Sequence, residues 1–234
     1  MRYNERMNQI TILPIAYIKT DFPEKFGVPR QSGRVKTLST IVFTDNYKNP
    51  DALRGIDGFS HLWLIFGFSL CDNKDFTPMV RPPRLGGNQK VGVFASRSPF
   101  RPNGLGLSSV KLEKVEHREK DGTVLIVSGA DLVDGTPIYD VKPYLPFTDC
   151  HVDAVGGYAD EHVGHKLIVD FPERLLNVIP DNKRDALIQT LSDDPRPSYQ
   201  QDGKAYGMKF YKFNVKFTVN EKVLTVTDVE KVLD

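Results

Sequence analysis

Ser96-Arg97-Ser98-Pro99-Phe100-Arg101-Pro102-Asn103-Gly104-Leu105-Gly106-Leu107 holds two arginines, two prolines, two glycines and an asparagine in twelve residues. A strand-like run, Val91-Gly-Val-Phe94, leads in, and another, Leu107-Ser-Ser-Val-Lys-Leu112, leads out. Pro fixes φ, and Gly and Asn tolerate positive φ, so the stretch reads as a tight loop between strands. A Rossmann turn does not fit. After Gly104-Leu105-Gly106, position 109 is a serine, so G-x-G-x-x-G fails, and no strand–helix alternation surrounds it. A bland turn does not explain Arg97 and Arg101 at i, i+4. A guanidinium is a fixed cation whose planar fork suits carboxylate and phosphate. From residue 81 to 112 there are six Lys or Arg (Arg81, Arg84, Lys90, Arg97, Arg101, Lys111) and no Asp or Glu. The loop reads as one wall of an anion-binding pocket.

Outward from this loop the pattern stays β. Residues 9–20, with Pro14 at an edge, and 35–44 are rich in β-branched residues. Phe59 to Leu70 is a dense aromatic and aliphatic run that suits a buried strand. Residues Leu107–Val115 and Thr123–Ser128 flank Lys120-Asp121-Gly122, a strong hairpin signal. Asp131–Asp134 reads as a strand ending in a turn, and Ile138–Val141 as another strand. A short helix is expected near Asp51–Arg54. About seven strands with almost no helix argue for a closed barrel or a sandwich. After residue 150 the period changes. Phe171–Ile179 and Lys183–Leu191 have helical spacing. Tyr211, Phe213, Val215, Phe217 and Val219 then alternate with polar residues, and Leu224–Asp228 returns as a partner strand. The reading is a mainly β chain: a domain over 1–150 and a smaller α+β domain over 151–234.

A net charge of +1 does not announce a nucleic-acid binder, so any such surface must be local, as in residues 81–112. Met1–Arg6 is polar and not a secretory signal, and the longest apolar run, Leu62–Leu70, is too short to span a bilayer. No membrane partner is expected. Cys71 and Cys150 lie far apart without metal-type spacing, which points to two free thiols in a reducing cytoplasm and to no metal.

Six segments together resemble the TrmO family of tRNA methyltransferases. They are the Ser96–Leu107 loop, Val28-Pro29-Arg30-Gln31, Gly58–Trp63, Pro82–Gly87, Asp134–Pro137 with Asp140–Tyr144, and Asp194-Pro195-Arg196-Pro197. Two departures stand out: Gly104-Leu105 replaces the usual Pro-Ile or Ala-Ile after the asparagine, and Ser69 stands where many members carry a histidine. The resemblance implies a closed antiparallel β-barrel, a homodimer, and S-adenosylmethionine held by barrel loops. It implies cofactor contacts from Pro29, Arg30, Gln31, Phe68, Ser69, Arg97, Leu107, Asp134, Gly135, Thr136 and Pro137. Backbone groups around Gly135 would meet adenine edges. The implied reaction is methyl transfer to the N6 nitrogen of threonylcarbamoyladenosine beside the anticodon of a tRNA. That nitrogen must lose a proton, and Asp134, Asp140 and Tyr144 are the acceptors near the motif loops. Arg84, Arg101, Asn103, Lys111, Asp194 and Arg196 are the expected tRNA contacts. Two other readings remain: a non-catalytic RNA-binding β-barrel, and a regulatory protein that binds S-adenosylmethionine without RNA.

Overall fold

The computed structural model describes residues 10–71, 76–82, 85, 89–162, 164, 166–196 and 202–232. Its first half contains eight strands: Ala16–Lys19 (β1), Leu38–Phe43 (β2), His61–Gly67 (β3), Met79–Val80 (β4), Val91–Gly92 (β5), Leu105–Arg118 (β6), Gly122–Ser128 (β7) and Pro137–Pro143 (β8). Six of them form one antiparallel sheet in the order β1-β2-β7-β6-β3-β8, and β8 pairs back on β1 through Ala16↔Ile138 and Tyr17↔Pro137. Alternation decides what fills the ring. Leu62, Leu64 and Phe66 of β3, Val110 and Leu112 of β6, and Leu125 and Val127 of β7 point inward with Ile18, Ile41 and Ile138. The interior is a packed core, as expected for a ring of few strands. Gly106 is required there: a Cβ would fall 2.3 Å from Phe66 Cζ. The β6–β7 hairpin turns at Gly122, whose φ is +71°, as the Asp-Gly signal predicts.

Several expectations are corrected. Asp131–Asp134 forms no strand; residues 129–136 are a loop and turn. Val91–Phe94 gives only two strand residues before a 3-10 turn over Val93–Ala95. The short helix expected near Asp51 is present as a 3-10 turn, Pro50–Leu53, capped by the Asn49 side chain.

The second half begins with a short helix, Pro146–Asp149 (α1). It continues with Ile168–Asp170 (β9), Glu173–Leu176 (α2), Asp181–Ser192 (α3), Ala205–Phe210 (β10), Phe213–Asn220 (β11) and Val223–Lys231 (β12). The sheet order is β10-β11-β12-β9, with β9 parallel to β12. Sequence periodicity gave the alternation of β11 and the α3 helix. It lengthened α2, which ends after four residues before Pro180, and it passed over β9 and β10.

The two sheets share a strap. Residues 21–36 connect β1 to β2, yet Phe22 is fully buried in the second core with Phe210, Phe217 and Leu187, and Phe26 and Val28 pack against that core. Lys183 Nζ donates to both carboxylate oxygens of Asp21 at 2.7 and 2.8 Å. Arg34 Nε donates to Asp193 at 2.6 Å. The middle of the strap brings Gln31 to the signature loop.

Candidate functional site

The strap, the signature loop and the turn before β8 converge at one end of the ring. Arg97 Nη1 donates to Gln31 Oε1 at 2.5 Å, so two of the sequence segments meet directly. Ser69 Oγ and Thr136 Oγ1 lie 2.8 Å apart, and Thr136 Oγ1 donates to the Val133 carbonyl at 2.7 Å. Phe68 packs edge-on against Phe66 at 5.3 Å, and its N–H reaches the carbonyl of Gly104, a residue with φ +58°. Only glycine adopts that conformation freely, which explains its place after Asn103.

Two cavities flank this junction. The smaller, about 210 Å³, is lined by Phe66, Phe68, Ser69, Pro99, Asp131 and Thr136, among others. The larger, about 430 Å³, lies on the outer face of β3 and β6, between Trp63, Leu107, Ser109, Tyr144, Arg97 and Ser32. The expected cofactor residues therefore divide. Phe68, Ser69 and Thr136 line the small cavity, while Arg97 and Leu107 line the large one.

Asp131 links the two. It lines the small cavity and feels the positive charge of Arg97. Its Oδ1 is buried and has no hydrogen-bond partner among the described residues. Burial pushes its carboxyl above the usual aspartate range, against the pull of Ser108 and, more weakly, Arg97. Sequence reading missed Asp131 because it took the residue for part of a strand. A buried carboxylate oxygen without a donor is costly unless something cationic meets it. S-adenosylmethionine carries a sulfonium and an ammonium, and the apolar walls suit its uncharged parts. The residues present fit such a cofactor.

Other expected contacts have internal roles. The N–H groups of Asp134, Gly135 and Thr136 donate to the carbonyls of Phe22, Ile18 and Val133, so that turn offers no amide N–H to an adenine edge. Arg30 turns toward the second sheet and donates to the carbonyls of Asp194 and Arg196. Pro29 is buried beside it. The Arg196 guanidinium donates to both oxygens of Asp194, at 3.0 and 3.2 Å, and to Asp202 at 3.3 Å. Arg101 braces the signature loop through the carbonyls of Val93 and Ser96. Lys111 is exposed and pairs with Glu113. Asn103 is exposed, and Arg84 lies outside the described residues.

The three candidate proton acceptors are not clustered. Asp134 and Tyr144 sit beyond opposite ends of β8, whose seven residues span roughly 20 Å. Asp134 accepts from the Thr20 N–H at 2.8 Å and so fixes its own turn. Tyr144 lies 5.5 Å from the Trp63 ring, and its phenol is pushed up by burial, then by Cys150 and Asp149. Asp140 lies opposite Ile65, and Ile65 lies opposite Leu107 across β3. Two strand spacings, about 10 Å, thus separate Asp140 from Leu107 on the outer face, with β3 between their strands. The β3–β8 register shifts next to it, between Ile65 and Phe66. Among the described residues no group of three or more His, Cys, Asp or Glu is placed to hold a metal.

Residues 17–150 match the model of the tRNA-methyltransferase O N-terminal domain, and residues 166–232 match the TrmO C-terminal domain. The chain is 39% identical over 234 residues to the tRNA (adenine(37)-N6)-methyltransferase of Escherichia coli (strain K12), covering 96% of this chain and 99% of that one. It is 42% identical over 172 residues to the Eikenella corrodens protein of the same name, covering 73% and 97% of the two. Among solved structures, TrmO from Pseudomonas aeruginosa superposes with a TM-score of 0.75 at 32% identity, over 95% of this chain and 99% of that one.

Proposed function

The chain belongs to the TrmO family, and from that premise we propose how its residues carry out the reaction. It is a tRNA N6-methyltransferase that acts on adenosine 37 with S-adenosylmethionine as methyl donor. The base it takes is threonylcarbamoyladenosine, it works in the cytoplasm, and it works as a homodimer. The observation that carries the site is the junction of Gln31, Arg97 and Asp131, where a buried carboxylate with one unpartnered oxygen among the described residues lines a cavity built from family segments.

When bound, S-adenosylmethionine supplies a methyl group on a sulfonium that departs as a neutral thioether. Asp131 offers the cofactor's cationic end a counter-charge in a low-dielectric wall. Arg97, steered by Gln31, meets its carboxylate or ribose oxygens. Phe68 and Leu107 cover its apolar atoms. Alignment is the chain's main contribution and can supply roughly 7–11 kcal/mol. For N6 to accept that methyl group its proton would have to leave. Asp140 takes it, since this carboxylate shares the outer face with Leu107. Its Oδ1 is steadied by the Val141 N–H at 2.9 Å and its Oδ2 by Lys142 at 3.0 Å. Tyr144, with its raised pKa, stays protonated at neutral pH and donates a hydrogen bond. Asp134 keeps the turn.

The dimer reading rests on Phe147, Val152 and Val155. They are 86%, 96% and 89% exposed and follow the large cavity's Tyr144 along the chain. A second copy would cover them and close that cavity. Mass spectrometry of tRNA nucleosides from cells with and without the protein should show methylated threonylcarbamoyladenosine only with it. Asp140→Asn should cut turnover by 10²–10⁴ with unchanged cofactor affinity. A variant with wild-type turnover removes Asp140 from proton transfer.

A further inference from the structure

The lobe between β4 and the signature loop carries a surface that none of these roles uses. Phe76 and Phe94 stack at a centroid distance of 6.2 Å with 26° between their planes. Phe94 is 70% exposed, Phe76 50% and Met79 45%. The Arg101 guanidinium carbon lies 5.7 Å from the Phe94 ring centroid. The exposure follows from the local fold. The β4–β5 pair and the bond from Val93 N–H to the Pro78 carbonyl bury Val93 as an anchor. The 3-10 turn that begins there sends the next side chain, Phe94, outward. Ser96 and Arg101 both bond the Val93 carbonyl, so the turn is braced from below.

The sequence around this pair is predominantly basic, with Asp75 before Phe76 and Glu113, the partner of Lys111, at its edges. Residues 76–112 contain Arg81, Arg84, Lys90, Arg97, Arg101 and Lys111 and no acidic residue. Exposed stacked aromatics within such a field suit a nucleic-acid strand whose bases are unstacked. The position is also right. Arg97 is three positions beyond Phe94, so their Cα atoms are at most about 11 Å apart. A base lying on Phe94 is therefore a near neighbour, in the same loop, of one presented at Arg97.

We propose that Phe94, backed by Phe76 and Arg101, is a stacking platform for a nucleotide of the tRNA anticodon loop next to the target adenosine. The platform holds the loop open so that the target base can turn toward the cavities. It rests on the proposed tRNA reaction and adds the contact that unstacks the loop.

The test uses the full-length protein and an anticodon stem-loop with 2-aminopurine at each position flanking the target in turn. Wild-type protein should quench one of these probes, and Phe94→Leu should abolish that quenching while raising the Kd for the stem-loop about ten-fold. Phe94→Trp should restore both. The slope of log affinity against log salt should not change in Phe94→Leu, because no phosphate contact is lost, whereas Arg81→Ala should lower it by about one. S-adenosylmethionine affinity by calorimetry should stay at the wild-type value in the Phe94 variants, which also reports correct folding. If Phe94→Leu keeps wild-type quenching and affinity while the wild type methylates tRNA, the platform is wrong and the tRNA reading stands. If the wild type neither binds nor methylates tRNA, the reading itself fails. If Phe94→Ala instead halves the sedimenting mass, the pair is a contact between two copies and the proposal is overturned.

Discussion

The signature loop and the C-terminal motif are written alike, each an arginine close to prolines, yet Arg97 and Arg196 are held in opposite ways. Arg196 carries its own acids: Asp194 and Asp202 neutralise it, and the residue is 8% exposed. Its backbone carbonyl in turn holds Arg30. Arg97 bonds a neutral amide, Gln31, and the carboxylate it faces, Asp131, keeps an oxygen with no partner among the described residues. A guanidinium with built-in acids shapes the protein. One that meets an amide and an unmatched acid is set for a ligand that carries both charges. Composition cannot separate these cases, because Asp202 lies six residues beyond Arg196 and Gln31 lies 66 residues before Arg97.

The contrast can be broken at either end. Arg196→Ala removes a guanidinium that bonds both oxygens of the largely buried Asp194 and should cost about 3 kcal/mol of unfolding free energy, read from the urea midpoint at constant m. A loss below about 1 kcal/mol would mean that the motif is open to ligands after all. Arg97→Ala should weaken S-adenosylmethionine binding by about 2 kcal/mol in calorimetry, with the urea midpoint nearly unchanged. The reverse pattern would make Arg97 the structural one. Asp131→Asn should act with two signs. Because burial raises the folded pKa of this carboxyl, its charge is penalised at neutral pH, and the penalty fades as pH falls through the raised folded pKa and is gone below the ordinary value of 3.8. The variant should therefore gain about 1 kcal/mol of stability at pH 7 without cofactor, lose that gain in acid, and bind S-adenosylmethionine more weakly. Equal cofactor affinity would remove Asp131 as counter-charge. Lys111→Ala, at an exposed pair with Glu113, should shift stability by less than about 0.5 kcal/mol. Its salt slope for tRNA should fall by about one only if Lys111 touches phosphate.

The strands were legible where one face is buried. The alternation in β11 and the Asp121-Gly122 turn each encode their geometry within a few residues. The site was legible as a set of segments, since Arg97 and Gln31 do meet. Their division between two cavities was not, because it depends on which face of β3 and β6 each loop reaches. Asp131 was missed for a local reason: Asp131-Leu132-Val133 alternates like a strand, but Gly129, at φ +82°, and the turn at Gly135 leave no ladder for it to join. The destination of Phe22 was illegible for a different reason. Nothing near it in sequence says that its neighbours will be Phe210 and Leu187.

The strap that takes Phe22 there has a consequence for how the molecule is made. Asp21 and its partner Lys183 are 162 residues apart along the chain. On the ribosome the first sheet can be complete while Phe22, Phe26 and Val28 still have nothing to lie against. Such distant pairings come late and slowly in folding. Until β10–β12 have been synthesised, the nascent chain carries a bare apolar segment, and that interval is when it is most prone to associate with other chains. Cutting the gene at residue 150 would make the interval permanent.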